Sequence, residues 1–199
     1  MNKRTIRIFV DMLLAIILSV ASHRILSMAF ASIEGLQISL VLIPLIWLGL
    51  RHGAPAAIIA STVVGLLNGL FEFHFTEWVN IILYEILPLY ASGLAAVFSK
   101  YTQKTLNNRR YSSTYLNITT ASMLVTVIYF GIKFFLVPLG MGEPIKMTFN
   151  QPNFWISLAS MIAVASLMLC GIAKTLPKWI IPPRSKYLSR KETSSLLND

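Results

Sequence analysis

The stretch Glu77–Phe98, EWVNIILYEILPLYASGLAAVF, decides the fold. At twenty-two residues it is long enough to cross a bilayer as a helix. Yet Glu85 lies inside its apolar run. A carboxylate at membrane depth costs about 2.5–3.5 kcal/mol on insertion scales, so such groups face a bundle interior or a cavity. Trp78, Ile82 and Glu85 share one helical face, with Tyr84 beside it. The residues alone leave two readings of Glu85: a functional acid, or one half of a structural ion pair between helices.

The rest of the chain supports a membrane setting. Of its 199 residues 55% are hydrophobic and only 13% charged, and the mean hydropathy is +0.67. A soluble domain normally carries about 25% charged residues. Apolar segments recur over the whole length, which predicts an all-α integral membrane protein. Six transmembrane helices are expected, over about 8–28, 36–50, 55–71, 77–98, 115–137 and 154–173. The second is short for a full crossing. Residues 1–180 read as a single transmembrane domain and 181–199 as a basic cytoplasmic tail. The first apolar segment is too long for a cleavable signal and lacks a small-residue cleavage site, so none is expected.

Charge distribution gives the topology. With both termini in the cytoplasm, fourteen of the seventeen Lys and Arg fall on inside segments, and only Arg24, Lys133 and Lys146 are left for the outer half. This bias accounts for the net charge of +9 without nucleic acid as a partner. The basic tail is suited to anionic lipid of the bilayer. The outer side collects Glu34, Glu72, His74, Glu77 and Glu143, with Phe73, Phe75, Trp78 and Trp155 close by. The Gly-, Pro- and Asn-rich segment 139–153 is a candidate lid over an outward-facing pocket.

On the fifth helix Lys133 lies a few residues from the outer end, with Tyr129 one turn deeper on the same face. Glu85 lies about 12 Å down the fourth helix at 1.5 Å per residue. The two charges therefore occupy the same half of the bundle. Either they pair with each other, or they line one pocket and share its ligand.

Small residues form two stripes. Ala57, Ser61, Gly65 and Gly69 repeat at four-residue intervals on the third helix, which permits close approach of a neighbour. Ala15 and Ser19 do the same on the first helix, on a face running from Asp11 to His23. That face suits either internal packing or docking of another membrane protein.

No enzyme signature is present: no HExxH, no GxSxG, no Walker A loop and no close pair of acids for membrane proteolysis. His23, His52 and His74 are scattered over both sides, and the single cysteine, Cys170, excludes an internal disulfide, so neither a metal nor another cofactor is expected. Asn117-Ile118-Thr119 falls inside a predicted helix and is not read as a glycosylation site.

The run IPLIWLGLRHGAPAAIIASTVVGLLNGLF, Ile43–Phe71, followed by Glu85 and by SGLAAVF at Ser92–Phe98, resembles the substrate-binding S components of energy-coupling factor (ECF) vitamin transporters. The likeness is greatest to the thiamine-specific branch, and it is continuous over Ile43–Phe98. It implies a subunit in the plasma membrane of a bacterium that captures a vitamin outside. It also implies partners: a transmembrane coupling subunit with two ATPases, contacted in part through Ala15 and Ser19. Glu85 falls where the family's glutamate recognises the aminopyrimidine of thiamine, and Tyr129 and Lys133 fall on the matching face of helix 5. Tyr84, Trp78 and Trp155 are the candidate aromatic walls. The chain departs from the branch in two places: a tryptophan before helix 2 is replaced by a region containing Glu34, and Ser160 or Met161 stands where an asparagine is expected on helix 6.

A carboxylate accepts hydrogen bonds from an aminopyrimidine, while aromatic faces hold a thiazolium by stacking and cation–π attraction. Thiamine or a related pyrimidine is therefore the expected substrate. Lys133 would instead suit a vitamin bearing a carboxylate, such as pantothenate or a folate. A structural protein with a Glu85–Lys133 pair would bind no ligand.

Overall fold

A computed structural model describes residues 3–29, 39–72, 77–145, 147–183 and 185–188. The sequence expectations for Glu34, Phe73, His74, Phe75, Lys146, Arg184, Arg190 and Lys191 lie outside the described residues. Among those described, every regular element is helical. The long elements are α1 (Lys3–Ala29), α3 (Ala54–Glu72), α4 (Trp78–Asn107), α5 (Tyr111–Met141) and α6 (Pro152–Thr175). All five contain segments long and apolar enough to cross a membrane. Between α1 and α3 lies the shorter α2 (Leu42–His52), and a single turn, α7 (Pro177–Ile180), follows α6.

At 11 residues α2 spans about 16 Å, too little to cross a bilayer by itself. Its start at Leu42 is later than the expected 36, but its position in the bundle is what matters. Nine of its residues are buried, because α1, α3, α4, α5, α6 and α7 all pack around it. It ends where Gly53 turns to a φ of 97°, a left-handed value that a side chain would strain, and the Gly53 N–H closes on the Gly49 carbonyl at 3.0 Å. Pro55 then starts α3, where the missing N–H is not needed.

The small-residue stripe of α3 faces α4. A methyl group built on Gly65 would stand 2.8 Å from the Ile86 Cα and 2.9 Å from the Glu85 carbonyl oxygen. The bare glycine lets the two backbones meet. Below it, Ser61 donates to the Leu89 carbonyl at 3.1 Å and lies 2.8 Å from the Ser92 hydroxyl.

α4 runs past the expected end at Phe98 to Asn107. The polar residues there are buried partners: Ser99 and Gln103 donate to the Leu50 carbonyl at 2.7 and 2.8 Å. Neither α4 nor α5 is regular along its length. Wide π turns occupy Ile81–Ile86 and Ile132–Leu136, and a tight 3-10 stretch follows at Tyr90–Ala95. Each π turn stops just before a proline, Pro88 or Pro138. Proline supplies no N–H and its ring collides with the carbonyl four residues back, so a normal turn cannot be completed there.

The expectation for Ala15 and Ser19 needs correction. Both are fully buried, and the Ser19 hydroxyl donates to the Val41 carbonyl at 3.0 Å. Their small side chains let α1 lie close to its neighbours within the chain, so this face is not available to a partner. The opposite face of α1 carries the exposed apolar residues, among them Phe9, Leu13 and Ile17.

Candidate functional site

The π turns of α4 and α5 carry Glu85 and Lys133, respectively. A π turn holds one extra residue per turn, which re-aims the side chains it contains, and such turns recur at functional sites. Here they bring the two charges together. Lys133 Nζ donates to Glu85 Oε1 at 2.9 Å, with the glutamate side chain only 6% exposed and the lysine 21%. The Tyr129 ring, buried one turn below, has its centroid 5.9 Å from Lys133 Nζ. The sequence left open whether Glu85 and Lys133 meet; they do.

A buried ion pair seldom adds stability, because desolvation offsets the Coulomb gain. Nor does this contact saturate the carboxylate, which offers about four lone-pair sites over its two oxygens. Lys133 uses one of them. The site therefore keeps acceptor capacity for another donor, with the ammonium group fixing the acid in place.

Aromatic rings extend outward from Tyr129. Its centroid lies 6.1 Å from Phe130, which contacts Phe154 edge to face at 5.8 Å. Phe154 in turn meets Trp155 at 5.3 Å. The segment between α5 and α6 is stapled onto this series: Phe149 stacks on Phe135 at 4.5 Å and 14°, and Trp155 Nε1 donates to the Phe149 carbonyl at 2.8 Å. Tyr84, one residue from the acid, donates its hydroxyl to Glu143 of the same segment at 2.7 Å. Tyr84 thus ties α4 to the connecting segment, while Trp155 reaches Tyr129 through two phenylalanines. Trp78 is half exposed at the start of α4, seven residues before Glu85.

Three further polar contacts were not legible in the sequence. His23 of α1 and Glu72 of α3 meet at 2.6 Å. Asp11 of α1 receives Arg51 at 2.8 Å and His52 at 2.6 Å, forty positions away in the chain. Asn68, on the inward side of α3, is 1% exposed, and its Oδ1 has no hydrogen-bond partner among the described residues. Its position one helical turn from Gly65 was a usable signal, since a lone amide on a small-residue stripe facing the core needs a partner. Among the described residues, no three His, Cys, Asp or Glu side chains come together to hold a metal ion.

The chain matches the family described as "Thiamine transporter protein" over residues 9–136. In fold it is similar to the solved structure of ThiT from Listeria monocytogenes, with a TM-score of 0.69 over 91% of this chain and 100% of that one. Sequence identity between the two is 22%, so this likeness concerns the fold alone. No curated protein sequence matches the chain.

Proposed function

This chain belongs to the thiamine transporter protein family, and from that premise we propose that Glu85, held by Lys133, is the group that recognises the vitamin. The protein is the substrate-binding S component of an importer in the thiamine branch, a transport subunit and not an enzyme. The observation that carries the assignment of Glu85 is its place in a π turn, buried, with one hydrogen bond accepted from Lys133 and capacity for more.

In this reading Glu85 accepts a hydrogen bond from the aminopyrimidine. Tyr129 and the rings linked to it give the heterocycles an aromatic wall, and Tyr84 with Glu143 closes one side. Trp155 and Trp78 form the outer rim. A vitamin bearing a carboxylate fits less well, because Lys133 is already engaged with Glu85.

The wider assembly follows the family. Six membrane helices with both termini in the cytoplasm agree with the Lys and Arg bias, with α2 as the short second helix. Residues 1–180 form the membrane domain and 181–199 the tail. The membrane is the plasma membrane of a bacterium. A transmembrane coupling subunit with two ATPases supplies the energy, docking on a surface other than Ala15 and Ser19.

The test is direct. Protein purified from cells is analysed by mass spectrometry for a retained small molecule, then titrated with thiamine while Trp fluorescence is followed. Retained thiamine and a saturable fluorescence change are expected. A different retained vitamin, with no response to thiamine, would overturn the assignment.

A further inference from the structure

Gly65 touches the backbone at Glu85 and Ile86, and a methyl group built on Gly69 would stand 2.5 Å from Ile81 Cγ2. These contacts fix the register of α3 against the π turn of α4. Asn68 lies between the two glycines, at the depth of the segment from Ile81 to Glu85. On the helical wheel it falls in line with Ser61, which bonds α4 two turns away, and with Glu72. Being 1% exposed, it faces the bundle interior, within about one helical turn of Glu85 along the π turn.

An amide oxygen buried without a partner costs stability, so a fold that keeps one calls for an explanation. A donor that arrives with the ligand is such an explanation. The proposed reading supplies one, because an exocyclic amine carries two N–H groups and Glu85 takes one of them. We propose that Asn68 is a further specificity-determining residue, its side-chain carbonyl accepting the second N–H of the aminopyrimidine amine. The inference rests on the reading of Glu85 given above. Two acceptors on neighbouring helices would then select an amino group over an oxo group, since an oxo group faces both with a lone pair.

The experiment uses the full chain and two probes: thiamine, and its analogue with an oxo group in place of the amine. Asn68→Leu keeps the approximate size and removes the amide. Thiamine affinity should fall about tenfold, the loss of one hydrogen bond to a buried acceptor. Affinity for the oxo analogue should hold or rise, and the thermal midpoint without ligand should hold or rise as the orphaned oxygen is removed. Unchanged thiamine affinity, or equal losses for both ligands, would overturn the role of Asn68. So would a fall in the ligand-free midpoint with no selective loss. If N68L does not fold, Asn68→Ala gives the same contrast between ligands. A wild-type protein that binds no thiamine overturns the reading of Glu85 and this inference together, whereas a binding wild type with an indifferent N68L overturns Asn68 alone.

Discussion

Two buried charged groups mark the two ends of the bundle, and they are treated in opposite ways. At one end Arg51 is 8% exposed and surrounded by partners. It donates to Asp11 at 2.8 Å and to the carbonyls of Lys178 and Trp179, and it lies 5.7 Å from the Trp47 ring. His52 shares Asp11, and Trp47 Nε1 donates to the Trp179 carbonyl at 2.9 Å. This network joins α1, α2 and α7. At the other end Glu85 receives Lys133, and the Oδ1 of Asn68, between the glycines that pack on this π turn, has no hydrogen-bond partner among the described residues. A network with its polar groups satisfied specifies a structure, and a partly satisfied one costs stability. The Arg51 end is a lock for the fold; in the reading proposed above, the Glu85 end keeps acceptor capacity for a ligand.

Breaking the lock should give the largest effect. Arg51→Met leaves Asp11 to His52 alone, takes the donor from the Lys178 carbonyl and leaves the Trp179 carbonyl only Trp47, so stability should fall by about 3 kcal/mol in a chemical or thermal unfolding assay. Thiamine affinity per folded molecule should not change. At the other end Glu85→Gln replaces an acceptor-only carboxylate by a neutral amide. Charged hydrogen bonds contribute about 1.5–3 kcal/mol, so fluorescence titration should show affinity reduced on the order of ten- to a hundredfold.

Gly65→Ala tests whether the two ends are separable at all. The added methyl meets backbone atoms of Glu85 and Ile86 rather than a flexible side chain, so α3 and α4 must move apart. Overpacking of this kind costs about 1–3 kcal/mol, and because it displaces the π turn, stability and affinity should fall together. The smallest effect is expected for Tyr84→Phe. It removes an exposed hydrogen bond to Glu143, worth about 0.5 kcal/mol or less in stability. Its signature should instead be kinetic: faster ligand release in a stopped-flow chase if Tyr84 helps to hold the connecting segment over the site.

The same contrast explains what could be read in the sequence. Apolar length located the membrane helices, because the bilayer imposes it. Glu85 stood out because a carboxylate in an apolar run is costly wherever it sits. Lys133 and Tyr129 followed from helical spacing. Apolar length alone ends the fourth helix at Phe98, yet Ser99 and Gln103 continue it because both bond the Leu50 carbonyl. Ala15 and Ser19 suited either internal packing or docking, since spacing cannot say which neighbour a small-residue face meets. The Asp11–Arg51 contact joins segments forty residues apart, beyond the reach of any local pattern. The π turn of α4 was legible in principle, because Pro88 lies inside a helix that must continue past it, whereas Pro138 falls just beyond the expected end of the fifth helix.

The claim that the two ends do different work is tested most directly by a crossed thermal measurement. The midpoints of wild type, R51M and E85Q are recorded with and without thiamine at a concentration far above the wild-type dissociation constant. A ligand at a hundred times its dissociation constant adds about 2.7 kcal/mol to the native state. R51M should start low and keep the full rise on adding thiamine. E85Q should start close to wild type, because Lys133 is partly exposed and still faces an amide oxygen, and should lose most of the rise. An E85Q protein that starts as low as R51M yet keeps the full thiamine-induced rise would make the Glu85–Lys133 pair a second structural lock and contradict the account.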